Sequence, residues 1–363
     1  ASLSANGRVR EAVVAMAALT LLVTGSLERG IAVVIISCPC AMGLAVPAAI
    51  MVAMGRAADL GVLIKNGEAL ERLARVDTLA FDKTGTLTEG KPAVVRIDPA
   101  PDHSEHDVLR WAAAVERLSE HPIARGILAE AMKRKLTGLP AAENFVAQPG
   151  WGAMARVEGR LVSVSKAAEG VGVEVSVDEE KIGRIELADP LKPDAKAAVR
   201  DLGRGLKLVM LTGDQKLNAH RVAAELEIGD VRADLKPADK LAALTELAQA
   251  GRRVAMAGDG INDAPALAQA YVGIAMGNGS DVAIEAADVT LLKGSLARMG
   301  SAIRLARATV TTMRTNLFWA MVYNVIAIPV AAFGLMDPVL ASGAMALSSL
   351  SVVGNSLRLR RAG

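Results

Sequence analysis

Phe81-Asp82-Lys83-Thr84-Gly85-Thr86-Leu87-Thr88 is the stretch on which the fold turns. It follows a strand-like apolar run, residues 76–80, and so places one carboxylate at a strand's C-terminal end, where open α/β sheets gather their chemistry. An aspartate there, followed by small hydroxyl residues and a glycine, can attack a phosphoryl group while backbone N–H groups cradle the incoming oxygens. A polar turn after a strand has the same composition, so the octapeptide has to be read with its surroundings.

Downstream, apolar runs alternate with amphipathic stretches: 184–187, 194–202, 207–211, 216–226, 240–248, 254–257 and 271–276. This alternation predicts a parallel sheet with helices on its faces. The strand that leads into Asp82 belongs to the same sheet, so residues 91–186 interrupt it as a separate small α/β domain. That segment has an extended stretch at 94–97, a helical run at 108–118 and a strand-like run at 171–177.

The flanks are different. Residues 11–23 form an apolar run too short by itself to cross about 30 Å of hydrocarbon, a marginal span. Residues 31–54 are long enough and carry Cys38-Pro39-Cys40 near their middle. Two more runs, 317–335 and 339–357, are separated by Met336-Asp337-Pro338. Four spans in two hairpins leave both termini on one side. Arg8, Arg10, Arg56 and Lys65 flank the first pair, and Arg304, Arg307, Arg314, Arg358, Arg360 and Arg361 the second. By the positive-inside rule these ends, and the charged bulk between them, are cytoplasmic. The first run lacks a small-residue cleavage site and is soon followed by another span, so it does not read as a cleavable secretion signal.

Composition agrees: 52% of the 363 residues are hydrophobic, high for a chain with no part in lipid. A net charge of +2 and 2% aromatic residues argue against nucleic-acid binding, which needs a basic field and rings to stack on. Both cysteines fall in one tripeptide, too close for an ordinary structural bridge, and read as ligands. Thiolates in a bilayer are costly unless a soft cation neutralises them, and soft ligands select Cu(I), zinc and their relatives. Pro39 breaks the helix and frees carbonyls along an ion's route.

The segment Asp82–Thr88 resembles the phosphorylation motif of P-type ATPases, ion pumps that pass through an aspartyl-phosphate. Thr212-Gly213-Asp214 and Gly258-Asp259-Gly260-Ile261-Asn262-Asp263-Ala264-Pro265 extend the resemblance, and Ser119-Glu120-His121-Pro122 and Cys38-Pro39-Cys40 point to the heavy-metal branch. The fold it implies is a mixed membrane protein: α-helical transmembrane hairpins and a cytoplasmic α/β haloacid-dehalogenase-like, Rossmann-like phosphorylation domain with an inserted α/β nucleotide-binding domain. The expected boundaries are 1–55 for the first hairpin, 56–90 and 187–314 for the phosphorylation domain, 91–186 for the insertion and 315–363 for the last hairpin.

The resemblance also implies roles. Asp82 is the nucleophile, followed by Lys83 and Thr84; Asp82, the Thr84 carbonyl, Asp259 and Asp263 surround Mg²⁺. Asn262 orients phosphate, Thr212-Gly213-Asp214 contacts it, and Lys240 matches the family's phosphate-neutralising lysine. In the insertion His121 orients the adenine of ATP, with Glu116 contacting the base and Gly150 and Gly152 accompanying the histidine. The family's Gly-Asn element is not recognisable; Val164-Ser165-Lys166-Ala167 stands in its place, which weakens the expectation of tight ATP binding. In the membrane, Tyr323, Asn324, Met345 and Ser349 join Cys38 and Cys40 and resemble the copper(I) subgroup, whereas zinc and cadmium pumps carry a lysine and an aspartate in these helices.

The function implied is ATP-driven Cu(I) export across the inner or plasma membrane of a bacterium, with lipid, ATP and a copper chaperone as partners. The family's actuator domain, with its Thr-Gly-Glu loop, is expected to be missing, because no Thr-Gly-Glu occurs in the chain. A fragment of a longer pump is the simplest explanation. The alternatives are a non-transporting, membrane-anchored fragment that binds ATP and metal, a pump for Ag(I) or Zn/Cd, and a simple phosphatase. Phosphatases of the haloacid dehalogenase type carry an acid–base aspartate two residues after the nucleophile, where Thr84 stands here.

Overall fold

The computed structural model describes residues 14–37, 40–148, 150–167 and 172–363. They form two compact units, Ala1–Arg75 with Arg298–Gly363, and Val76–Ala297.

The described residues begin with helices α1 (Val14–Thr24) and α2 (Leu27–Ile36), where Ser26 caps α2 by accepting from Arg29 N. Next come α3 (Cys40–Asp59), β1 (Val62–Ile64) and α4 (Gly67–Ala74). The buried residues of α3 are Ala41, Ala45, Ala49, Ala53 and Ala57, one turn apart. Such a stripe lets helix backbones approach closely, which is how helices pack where lipid removes the hydrophobic drive between them.

The second unit opens with β2 (Thr78–Phe81). It continues through β3 (Ala93–Pro99), α5 (Glu105–Glu116), α6 (Pro122–Lys133), β4 (Ala142–Gln148), β5 (Gly152–Val157), β6 (Arg160–Lys166), β7 (Val173–Val177) and β8 (Glu180–Ala188). After these come α7 (Ala195–Gly203), β9 (Lys207–Leu211), α8 (Lys216–Glu225), β10 (Asp230–Arg232), α9 (Pro237–Gln249) and β11 (Val254–Gly258). The unit closes with α10 (Ala264–Gln269), β12 (Val272–Met276), α11 (Asp281–Ala286) and β13 (Val289–Leu291). Helices α12 (Ala297–Ala332) and α13 (Pro338–Leu357) complete the chain.

Within the second unit, parallel strands run in the order β13-β12-β11-β2-β9-β10. Every residue of β2, β11 and β12 is buried, as a parallel sheet covered on both faces requires. Ala80, Val209, Leu211, Leu244, Leu247 and Met256 form its core. The inserted domain is a six-stranded antiparallel sheet ordered β3-β8-β7-β6-β5-β4. Its strands alternate, with Val173, Val175 and Val177 buried on one face beneath Val108, Leu109, Val115 and Ile127 of α5 and α6.

Residues 184–187, grouped by their apolar character with the parallel-sheet segments, lie instead in β8 and pair antiparallel with β3 and β7. Their burial alternates with period two, the pattern of a strand packed on one face only. The two connections between the sheets run side by side: Glu89 N donates to Pro190 O at 2.9 Å and Lys192 N to Leu87 O at 3.0 Å.

Among the described residues three stretches are long and apolar enough to cross a membrane: Leu27–Asp59, Ala297–Ala332 and Pro338–Arg361. The described part of the first expected span, α1, reaches about 17 Å at the α-helical rise, and residues 11–13 of that run lie outside the described residues. In this unit Ala17, Ala32, Val33, Ile36, Ala327, Ala331 and Ala341 form one apolar cluster and Ala41, Ala45, Ala320 and Val352 another. Met51, Val325, Ile326, Leu347 and Leu350 are exposed, apolar surface of the kind that lipid covers.

Candidate active site

Strand β2 delivers Asp82 to the C-terminal edge of the parallel sheet, where Asp82 N donates to Ala257 O at 2.8 Å and fixes it against β11. The backbone then leaves the helical region at Thr84 (φ −71°, ψ 129°) and enters the left-handed one at Gly85 (φ 70°). A Cβ on Gly85 would lie 1.7 Å from Asp259 Oδ2, so only glycine lets these two loops meet. Thr88 closes the turn: its Oγ1 accepts from Gly85 N at 3.2 Å and lies 3.1 Å from Lys83 O and 2.5 Å from Asp189 Oδ2. Asp189 also accepts from Gly90 N at 3.1 Å and Lys91 N at 3.0 Å.

Four charged groups converge above this turn. Lys240, buried near the start of α9, donates from Nζ to Asp82 Oδ1 at 2.6 Å and to Asp263 Oδ1 at 2.7 Å. Carboxylate oxygens of Asp82, Asp259 and Asp263 lie within 4.8 Å of one another. Burial pushes the Asp82 carboxyl up to about 7, Asp263 adds to the rise and Lys240 opposes it. Burial, then Asp263, also raises Asp259. Burial acts to lower Lys240, but the two carboxylates beside it outweigh this and hold it above its ordinary value. Buried carboxylates raised in this way lack positive charge, and an all-oxygen cluster suits a hard divalent cation such as Mg²⁺.

Beside the cluster, Lys83 pairs with Asp214. Asn218 Nδ2 donates to Asp214 Oδ2 at 2.8 Å, and Asp214 N to Thr212 Oγ1 at 3.1 Å. Thr212 is buried directly after β9, with Gly213 between it and Asp214. Asn262 is exposed in the short turn Ile261–Asp263, and Thr84 is exposed on the loop after Asp82. The structure thus gathers Asp82, Asp259, Asp263 and Lys240 into one cluster and sets Lys83, Thr212, Gly213 and Asp214 at the next strand end.

Sequence reading passed over Asp189 and Lys192. Asp189 ties down the turn after Asp82, and Lys192 donates from Nζ to Gly294 O at 3.1 Å, its ammonium held below the ordinary lysine range by burial. The signal was Asp189-Pro190-Leu191-Lys192-Pro193, two charged residues fixed by prolines on the return connection.

Residues 76–270 match the haloacid dehalogenase-like hydrolase family. The chain is 46% identical over 369 residues to copper-transporting ATPase 1 of Rhizobium meliloti, covering 93% of this chain and 44% of that one. Across such matches it spans about half the length of the curated relatives. A zinc-transporting PIB-type ATPase in an E2.Pi state superposes with a TM-score of 0.87 at 39% identity, covering 97% of this chain and 62% of that one. The catalytic domain of a CPx-ATPase is 33% identical with a TM-score of 0.62, and the match takes in 98% of that domain and 69% of this chain. The chain belongs to the heavy-metal P-type ATPases.

In this P-type ATPase chain the nucleotide candidates sit around the α5–α6 junction. Glu116 ends α5, buried, with Oε2 lacking a hydrogen-bond partner and its carboxyl raised by that burial. His121 is exposed and caps α6, its Nδ1 accepting from Ile123 N at 3.3 Å. Ser119 links the two: its N–H donates to Glu116 O at 3.0 Å and its Oγ accepts from His121 N at 3.3 Å. Gly150 and Gly152 have φ of 81° and 149°, and a Cβ on Gly152 would lie 2.2 Å from Val164 O.

Of the candidate metal ligands, Cys38 lies outside the described residues. Cys40, at the start of α3, is disulfide-bonded, and its sulfur would have to be reduced to a thiolate before it could hold a soft metal. Met345 is buried on α13, Ser349 and Asn324 are half-buried, and Tyr323 faces outward. A buried polar knot went unnoticed in the sequence. Asn316 Nδ2 donates to Ala45 O at 3.3 Å and Ser356 Oγ at 3.0 Å, and its Oδ1 accepts from Asn355 Nδ2 at 2.8 Å, tying α3, α12 and α13 together.

Proposed function

We propose that this chain carries the phosphorylated, nucleotide-binding and ion-conducting parts of an ATP-driven Cu(I) exporter. The observation that carries the proposal is Asp82: buried at a central strand's end, 2.6 Å from Lys240 Nζ, with two more carboxylates beside it. One Asp82 oxygen attacks the γ-phosphorus of ATP, the bond to the bridging oxygen breaks, and ADP leaves with that electron pair. Thr212 donates to a phosphoryl oxygen while Lys240 offsets its charge, the positioning and neutralisation that loose phosphoryl transfer needs. Asp82, Asp259, Asp263 and the Thr84 carbonyl would hold Mg²⁺, which when bound supplies positive charge for the phosphoryl oxygens. Asn262 orients the phosphate, and Glu116, His121, Gly150 and Gly152 seat the adenosine.

Copper is favoured by the donors. No charged residue occurs in 317–335 or 339–357, and thiolates with the Met345 thioether suit a soft monovalent ion. Asn324, Tyr323 and Ser349 complete the path, and a copper chaperone delivers the ion at the bacterial inner or plasma membrane. The test is labelling of the reduced full chain with γ-labelled ATP and Mg²⁺, with Cu(I) or Zn²⁺ added. Acid-stable label on Asp82, stimulated by Cu(I) and abolished by Asp82→Asn, is expected. Label on another residue overturns the nucleophile, and stimulation by Zn²⁺ alone overturns the metal.

A further inference from the structure

A cavity of about 480 Å³ opens between the start of the α12 span and the end of α13, lined by Thr311, Thr312, Thr315, Asn355, Arg358 and Arg361 among others. Apart from Asn355, its lining lies just outside the uncharged runs 317–335 and 339–357, at the level where hydrocarbon gives way to headgroups. We infer that this cavity binds an anionic phosphodiester that also carries hydroxyls, the headgroup of a glycerol-type phospholipid.

The lining contains no carboxylate. Among the described residues Arg358 and Arg361 make no ion pair, so two guanidinium groups face it with their donors unspent. Their placement is fixed. Leu359 between them is 3% exposed, and Arg56 Nε donates to Ala362 O at 2.9 Å, anchoring the turn Arg358–Arg361 at its middle and just past its end.

The uncharged groups divide by chemistry. The hydroxyls of Thr311 and Thr315 donate back along α12, to Arg307 O and Thr311 O at 2.9 Å each, which leaves them as acceptors toward the cavity. Thr312 makes no such bond, and Asn355 spends one amide N–H on Asn316. Donors for phosphate oxygens and acceptors for ligand hydroxyls therefore share one cavity. The C-terminal end of α13 adds roughly half a negative charge, too little to cancel two guanidinium groups. Basic pockets between transmembrane helices at this depth hold lipid headgroups.

The test places the full chain in phosphatidylcholine nanodiscs with and without phosphatidylglycerol and counts the lipid retained per protein by native mass spectrometry. Inorganic phosphate is titrated separately by calorimetry. Phosphatidylglycerol should be retained over phosphatidylcholine. The double variant Arg358→Gln/Arg361→Gln, melting at an unchanged midpoint, should weaken retention roughly 30-fold, two cationic contacts of the usual strength. Arg360→Gln, one charge fewer on the same turn but outside the lining, should leave retention intact. Equal loss with Arg360→Gln, or no preference for phosphatidylglycerol, overturns the site. Tight binding of inorganic phosphate without retained lipid identifies a free phosphate and overturns the lipid reading.

Discussion

The two sheets of the Val76–Ala297 unit bury their strands differently, and the candidate sites follow the difference. Strands β2, β11 and β12 are buried along their whole length, so no side chain within them is free for chemistry. Reactive groups are displaced to the loops that follow: Asp82 after β2, Thr212 after β9, Asp259 after β11. There Asp82 and Asp259 join Asp263 and Lys240 in a charged cluster, with Lys240 paired to Asp82 and to Asp263. The antiparallel sheet presses one face on α5 and α6, and its candidates, Glu116, His121 and Gly152, lie at two helix ends and one strand start. One arrangement is a buried cluster with charges already paired, and the other is a set of groups spread over a strand start and two helix ends.

That contrast predicts unequal responses to mutation. The largest belongs to Lys240→Met, which leaves Asp82 and Asp263 buried without their cation. Removing one partner of a buried ion pair costs about 3–5 kcal/mol, and losing a preorganised charge at phosphoryl transfer costs about 100-fold in rate. Urea unfolding and phosphoenzyme formation measure the two. Unchanged values for both would mean that the parallel-sheet site does not depend on its internal charge balance.

A smaller effect separates stability from function. The Asp82 carboxyl lies near 7 in the folded protein against 3.8 ordinarily, so between these values the folded chain holds a proton that the unfolded chain has released. Its stabilising contribution is full below pH 3.8 and is lost as pH rises through about 7. Asparagine does not titrate. Without divalent cations, Asp82→Asn should therefore melt a few degrees higher than the parent chain at pH 8, with the gap closing toward pH 4. Parallel melting curves across that range would contradict the burial argument.

The smallest change concerns the half-open sheet. His121→Ala removes both a cap and a ring, while His121→Asn keeps a capping side chain and removes only the ring. Both should weaken ATP binding by about tenfold, and only the alanine variant should lose about 1 kcal/mol of stability. Calorimetry and thermal melting separate these effects. Full ATP affinity in the asparagine variant would make His121 a structural cap and nothing more.

Much of the parallel sheet was legible because strands buried on both faces read as unbroken apolar runs, and Asp82, Thr212 and Asp259 stand where those runs stop. Residues 184–187 misled for the same reason, since a short run around Ile185 looks alike in either sheet until β3 is known to pair with it. Asp189 was invisible because its work is done across the fold, on Thr88, Gly90 and Lys91. Asn316 and Asn355 read as isolated polar residues at the edges of apolar runs, and only helix packing brings them within 2.8 Å. The described part of the marginal first apolar run is helical and ends at Thr24, before the turn at Gly25.

The paired connections at Leu87–Lys192 and Glu89–Pro190 make the inserted domain, topologically, an overgrown turn. Its entrance and exit lie one strand spacing apart, so replacing everything between them with a tight loop would leave the order β13-β12-β11-β2-β9-β10 untouched. A module attached in this way can be lengthened, exchanged or lost by a single genetic event without renumbering the strands beneath it. Its sequence can therefore drift at its own pace while the scaffold that carries it stays still.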